Sequence, residues 1–164
     1  MKLSKTKKII LGTLFWLISL TWGALMTIPG LLIALVVILC GGKPHKNGFT
    51  FIVEIGGNWG GLELGAVAIC GSYSQKDKPS YSPFWFEQIR AHEFGHNLQQ
   101  ILFGPFQLFL VWIPSAIRYW YDRLHGLKHL YDYIWFEYTA SKWGYYWLAK
   151  IDPSFKLTYT YKRK

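Results

Sequence analysis

The stretch RAHEFGHNLQQ, residues 90–100, places His92 and His96 four positions apart with Glu93 directly after the first. On an α-helix, residues four apart share a face, so both imidazoles can aim a ring nitrogen at one point. Zinc takes imidazole nitrogen at roughly 2.0–2.1 Å, and a catalytic site adds a third protein ligand and a water. Glu93 lies where its carboxylate can reach that water and take its proton as the oxygen attacks a carbonyl carbon. This is the chemistry of an HExxH helix. A chance match is expected in roughly half a per cent of chains of this composition, so a third ligand has to be sought.

Working outward, Pro83 after Ser82 is a helix start and Gly104-Pro105 a stop, which predicts one helix over residues 83–103. Gly95 inside that helix costs about 1 kcal/mol relative to alanine, which the close approach of another backbone would explain. Residues 97–117 carry no charge, and 105–124 reads as an apolar helix bent near Pro114 that can lie at a membrane interface. A further helix is predicted over 127–150, ending before Asp152-Pro153. It carries Glu137, with Ala140, Ser141 and Gly144 close to the same face.

Upstream, FTFIVEI (49–55) and LELGAVAIC (62–70) read as two strands of a hairpin across GGNWGG, with Trp59 in the turn. GGKPHKNG (41–48) reads as a polar linker. Before it, Ile9 to Cys40 is without charge. As one straight helix that stretch would be roughly 48 Å long, against a hydrocarbon core of about 30 Å. Pro29-Gly30 is the expected break, giving either a kinked span or a span with a return. A cleaved signal peptide competes, but no small-x-small site follows the apolar run. The fold class is therefore α+β, in three regions. Residues 1–41 are a basic N-terminus and membrane anchor, 42–153 a core with a hairpin at 49–71, and 154–164 a basic tail or edge strand.

The chain of 164 residues is 51% hydrophobic and 19% aromatic but only 16% charged, a membrane-leaning balance, and its net charge is +9. Lys2, Lys5, Lys7, Lys8, Lys162, Arg163 and Lys164 carry much of that charge. Without those seven, 11 basic residues face 9 acidic ones. Basic tails beside apolar segments fit anionic lipid headgroups, and no nucleic-acid fingerprint is present. Cys40 and Cys70 read as small apolar residues, although an oxidising compartment would allow them to pair.

Extensions of the motif sort the zinc-peptidase classes. A metzincin would have glycine at 99 and histidine at 102, where this chain has Gln99 and Leu102. A site-2 intramembrane protease shares the HEFGH wording but draws a ligand from a later aspartate motif that is missing here. A gluzincin takes a glutamate from a later helix, as Glu137 offers; Asp122, Asp132 and Asp152 remain alternatives. His125 and His129 are also four apart, but they sit among polar residues near a turn and read as surface histidines. Candidates to stabilise an oxyanion are Tyr131, Tyr133, Tyr138, His125 and Arg118.

The run Glu137-Tyr138-Thr139-Ala140-Ser141 resembles the ExxAD segment of the HtpX-like, CAAX-protease and antirepressor-sensor zinc peptidases, with Ser141 where that pattern has aspartate. The layout of HEFGH, LQQILFGP, IPS and the glutamate helix is also similar to a group of short bacterial membrane proteins. The resemblance covers residues 92–141. It implies a gluzincin-type metalloendopeptidase that cuts peptides or membrane proteins. His92, His96 and Glu137 would hold the zinc, Glu93 would be the general base, and Ser141 would orient a ligating histidine. It also implies a bacterial cytoplasmic membrane; the basic N-terminus favours the cytoplasmic side, so the site faces the cytoplasm if the N-terminal stretch turns back and outward if it spans once. The competing expectation is a catalytically inactive membrane protein, with a structural metal or none, that binds a partner or lipid.

Overall fold

The computed structural model describes residues 2–55, 57, 59–71, 83–126 and 134–159. In chain order these form α1 (Lys5–Thr21), α2 (Ala24–Leu39), β1 (Lys43–Asn47), β2 (Thr50–Ile55), β3 (Gly61–Leu64), β4 (Val67–Gly71) and α3 (Pro83–Phe103). A 3-10 turn (Gly104–Phe106), a π-helical turn (Leu108–Trp112), α4 (Ile113–Leu124) and α5 (Trp135–Ile151) follow. The class is α+β. The expected Ser82 cap, the 72–82 loop and residues 127–133 lie outside the described residues.

The sheet corrects the expected hairpin. Its order is β1-β2-β4-β3, with β1–β2 and β3–β4 antiparallel and β2–β4 parallel. The segment read as a linker supplies β1, an edge strand on which Pro44 is tolerated. The segment read as one strand over 62–70 is two, because Gly65 turns the chain at φ 71° with its Cα against the Thr27 backbone. That left-handed conformation favours glycine.

Strand alternation then gives each face of the sheet its own partner. Val53, Val67 and Ile69 pack with Ala34 of α2, while Ile52, Ala68 and Cys70 pack with Phe86 and Ile89 of α3. With both faces covered, β4 is buried along its whole length, which is why it reads as a continuous apolar run.

The break in the N-terminal apolar stretch falls at Trp22-Gly23, not at Pro29-Gly30. The chain bends there by 101°, and any side chain on Gly23 would occupy the place of the Gln100 amide. Helix α2 continues through Pro29, and Gly30 serves packing instead, lying against the Leu64 backbone. Among the described residues, no single helix is long and apolar enough to cross a membrane. Two bent pairs meet the length and composition only together, Lys5–Thr21 with Ala24–Leu39 and Phe86–Phe106 with Leu108–Leu124. The helix expected over 105–124 is broken into the 3-10 turn, the π-helical turn and α4, which begins at Ile113-Pro114. At the C-terminus, residues 155–159 form no strand.

Helices α3 and α5 meet almost backbone to backbone. A Cβ on Gly95 would overlap the Ala140 carbonyl, and one on Gly144 would overlap the Ala91 carbonyl. The segment Asn97–Gln100 fastens α3 elsewhere. Asn97 donates to Gly65 O (2.7 Å), Gln99 to Phe136 O (2.6 Å), and Gln100 Nε2 lies 3.4 Å from Thr27 Oγ1. All three amides are fully buried, where an unpaired polar group would be costly.

Glycine to alanine normally strengthens a helix by about 1 kcal/mol, but at Gly144 the sign should reverse. Gly144→Ala is expected to destabilise the fold by about 1–3 kcal/mol through overpacking, read as a lower urea midpoint. An unchanged or higher midpoint would contradict the close packing.

Candidate metal centre

Helix α3 presents His92, Glu93 and His96; α5 presents Glu137 and Ser141, one turn apart; and the first turn of α4 presents Ser115. The structure brings the two histidines and Glu137 together. Glu137 Oε2 lies 3.1 Å from His92 Nε2 and 3.1 Å from His96 Nε2, and the two nitrogens are 3.1 Å apart. Among the described residues, these three form the one group of three or more His, Cys, Asp and Glu donors that could hold a metal ion. A tetrahedral ion at roughly 2.0–2.1 Å from each ligand sets its ligand atoms about 3.3 Å apart. The observed triangle fits with a shift of a few tenths of an ångström. Two imidazoles and a carboxylate form the donor set of an open catalytic zinc site.

Each donor is held from behind. His92 Nδ1 lies 2.9 Å from Ser141 Oγ, and His96 Nδ1 lies 2.8 Å from Gln99 Oε1. Gln99 Nε2 donates to Phe136 O and to Thr139 Oγ1, which fixes the amide so that its oxygen faces the imidazole. His96 therefore keeps a proton on Nδ1, so that in its neutral form the Nε2 lone pair would be the one turned to the triangle. Ser115 donates to Glu137 Oε1 at 2.5 Å, so Oε2 alone faces the histidines. Gln99 and Ser115 were not singled out from the sequence. A buried glutamine is signalled only as an amide inside an apolar run, and Ser115 comes from a separate helix.

Electrostatics follow from burial. Burial pushes the Glu137 carboxyl up, but hydrogen bonds and charge from His92 and His96 outweigh it and hold it well below the usual carboxylate range. For His96, burial disfavours the imidazolium, yet the bond to Glu137 and the charge of Glu93 leave its pKa raised. A cation bound at the triangle would take the place of the protons that bridge these groups. Burial pushes Glu93 up to about 8; His96 opposes this, while Glu137 and Glu63 add to it. Its carboxylate packs against Gly61 of β3, where a side chain would take its place, and the Glu63 backbone N–H donates to it.

Other sequence candidates lie elsewhere. Asp152 pairs with Arg90 at 2.9 Å and Asp122 with Arg118 at 3.6 Å, so neither joins the triangle. His125 stacks on Tyr121 and is exposed, and Tyr138 packs beside Tyr159. Asp132, His129, Tyr131 and Tyr133 fall outside the described residues. Cys40 and Cys70 are unpaired, Cys40 exposed and Cys70 buried. Burial, with Glu54 and Glu93 nearby, pushes the Cys70 thiol up to about 12, so it stays protonated.

No protein-family model, curated protein or solved structure matches the chain.

The groups behind the donors should matter to metal affinity. Gln99→Leu and Ser141→Ala are each expected to weaken zinc binding by about 10–100-fold, measured by competition with a chromogenic chelator. Unchanged affinity in both would show that the imidazoles need no such support.

Proposed function

We propose that the protein is a membrane-associated zinc metallopeptidase of gluzincin type. The observation that carries this reading is the triangle of His92 Nε2, His96 Nε2 and Glu137 Oε2, 3.1 Å on each side, with a second buried carboxylate, Glu93, on the same helix. Zinc bound there would supply Lewis acidity, lowering the pKa of a water and polarising a carbonyl oxygen.

The chain's own residues do the rest. Glu93 takes a proton from water at its carboxylate oxygen and passes it to the leaving nitrogen. Ser141 and Gln99 hold the imidazoles so that both Nε2 atoms face the triangle, and Ser115 keeps Glu137 single-toothed. Strand β3 is an edge of the sheet and passes Glu93 at Gly61, so a peptide added along that edge would bring a carbonyl to the site.

Membrane association is supported by exposed apolar side chains on both bent helix pairs, among them Leu17, Leu25 and Leu32 and, on the second pair, Phe106, Phe109 and Ile117. The two bends touch at Trp22 and Phe106, ring centroids 6.1 Å apart, so these surfaces meet. We read them as one face set into a single leaflet. The 101° bend at Gly23, with lysines at both ends of the pair (Lys2–Lys8 and Lys43–Lys46), supports a reading in which those ends and the site face the cytoplasm.

One departure favours a second reading. Ser141 brings no charge where the resembling families have aspartate, as a structural metal site in a partner- or lipid-binding protein would tolerate. Hydrolysis by zinc-loaded protein separates the two, with unfolded casein and a peptide library as substrates. Glu93→Gln is expected to retain zinc and lose about 10²–10⁴-fold in turnover. Full turnover in that variant would contradict the mechanism, and a zinc-loaded wild type inert on every substrate would favour the second reading.

A further inference from the structure

Away from the metal centre, a groove of about 720 Å³ runs along α1, a volume within the usual range of ligand sites, about 300–1,000 Å³. Gly12, Trp16, Leu17 and Leu20 of α1 line it together with Phe49 from the β1–β2 turn, and Lys8 and Lys46 stand on it. Among its polar side chains, Trp16, Asp152 and Lys8 have partners within the protein. Trp16 Nε1 donates to Phe49 O at 3.0 Å, and Asp152, the one carboxylate on the lining, is paired at 2.9 Å with Arg90, which also holds Glu87. Lys8 Nζ donates to Ile151 O at 2.6 Å, which fixes the ammonium and leaves two of its N–H groups to donate elsewhere. Lys46 is exposed.

An apolar lane with two cations on its lining complements an acyl chain that carries an anionic headgroup. The lane opens on the same α1 surface that exposes Ile9, Leu17 and Leu20, so a lipid would enter it from the membrane. We propose that this groove binds one anionic glycerophospholipid, its chain along Gly12–Leu20 and its phosphate held by Lys8 and Lys46. The proposal rests on the membrane association put forward above and not on peptidase activity. A bound lipid would fix α1 against β1, the β1–β2 turn and the residues that follow α5, and so orient the molecule on the leaflet.

The test counts bound lipid by native mass spectrometry on the full chain in non-ionic detergent, so it reads neither hydrolysis nor insertion. Phosphatidylglycerol and phosphatidylcholine with identical acyl chains are the probes. About one phosphatidylglycerol per chain should be retained, with a preference of about fivefold or more over phosphatidylcholine. Gly12→Leu, which fills the lane, should abolish retention, and Lys46→Gln, which alters only an exposed side chain, should remove the headgroup preference. Lys142→Gln on α5 should change nothing. Four results would each overturn the proposal: equal retention of the two lipids by the wild type, wild-type retention in both groove variants, displacement of the lipid by millimolar inorganic phosphate, or a protein dimer in place of the lipid adduct.

Discussion

The close contact of α3 with α5 is the constraint on which the rest depends. With glycine at 95 and 144, each helix offers a bare backbone to a carbonyl of the other, Gly95 to Ala140 and Gly144 to Ala91. At that separation, a carboxylate one turn before Ser141 reaches both Nε2 atoms of α3, and the Ser141 hydroxyl reaches an Nδ1. A wider spacing would leave Glu137 short of the histidines and bury it unpaired, which is expensive for a charge. The same contact thus closes the core and sets the donor triangle.

Around that pair, a short stretch of α3 organises the molecule. Asn97, Gln99 and Gln100 bind the β3–β4 turn, α5 and the α1–α2 corner in turn. Gln107 donates to the His96 carbonyl and to Glu63, tying the segment after α3 to the back of the site. Buried amides with fixed partners specify one arrangement where apolar packing alone would allow several. The cost is a set of titratable groups away from water, and the raised pKa values of Glu63 and Glu93 follow mainly from that burial.

Much of this was legible in the sequence where local chemistry settles it. Pro83 and Gly104 bound α3, the four-residue spacing puts both histidines on one face, and a glycine inside a helix signals a close neighbour. Strand character at 49–55 and within 62–70 is legible, but the turn at Gly65 that splits the second segment into β3 and β4 is not, and neither is the pairing. The parallel β2–β4 pair is a long-range choice, and β1 hides in a lysine- and proline-containing run because an edge strand needs little apolar character. The bend at Gly23 could not be told from one at Pro29-Gly30 without knowing that Gln100 fills the space beside Gly23 and the Leu64 backbone that beside Gly30. Ser115 is invisible for the same reason, since its task exists only once α4 is folded back over Glu137.

Metal content of the detergent-purified chain, wild type beside Glu137→Ala, tests the donor triangle most directly. About one zinc per wild-type chain, lost in the variant, is the expected result for three protein ligands. A wild type that stays metal-free after zinc is added back, or a variant that keeps its full complement, would contradict it. The two histidines and the glutamate would then be only a buried hydrogen-bonded cluster between packed helices.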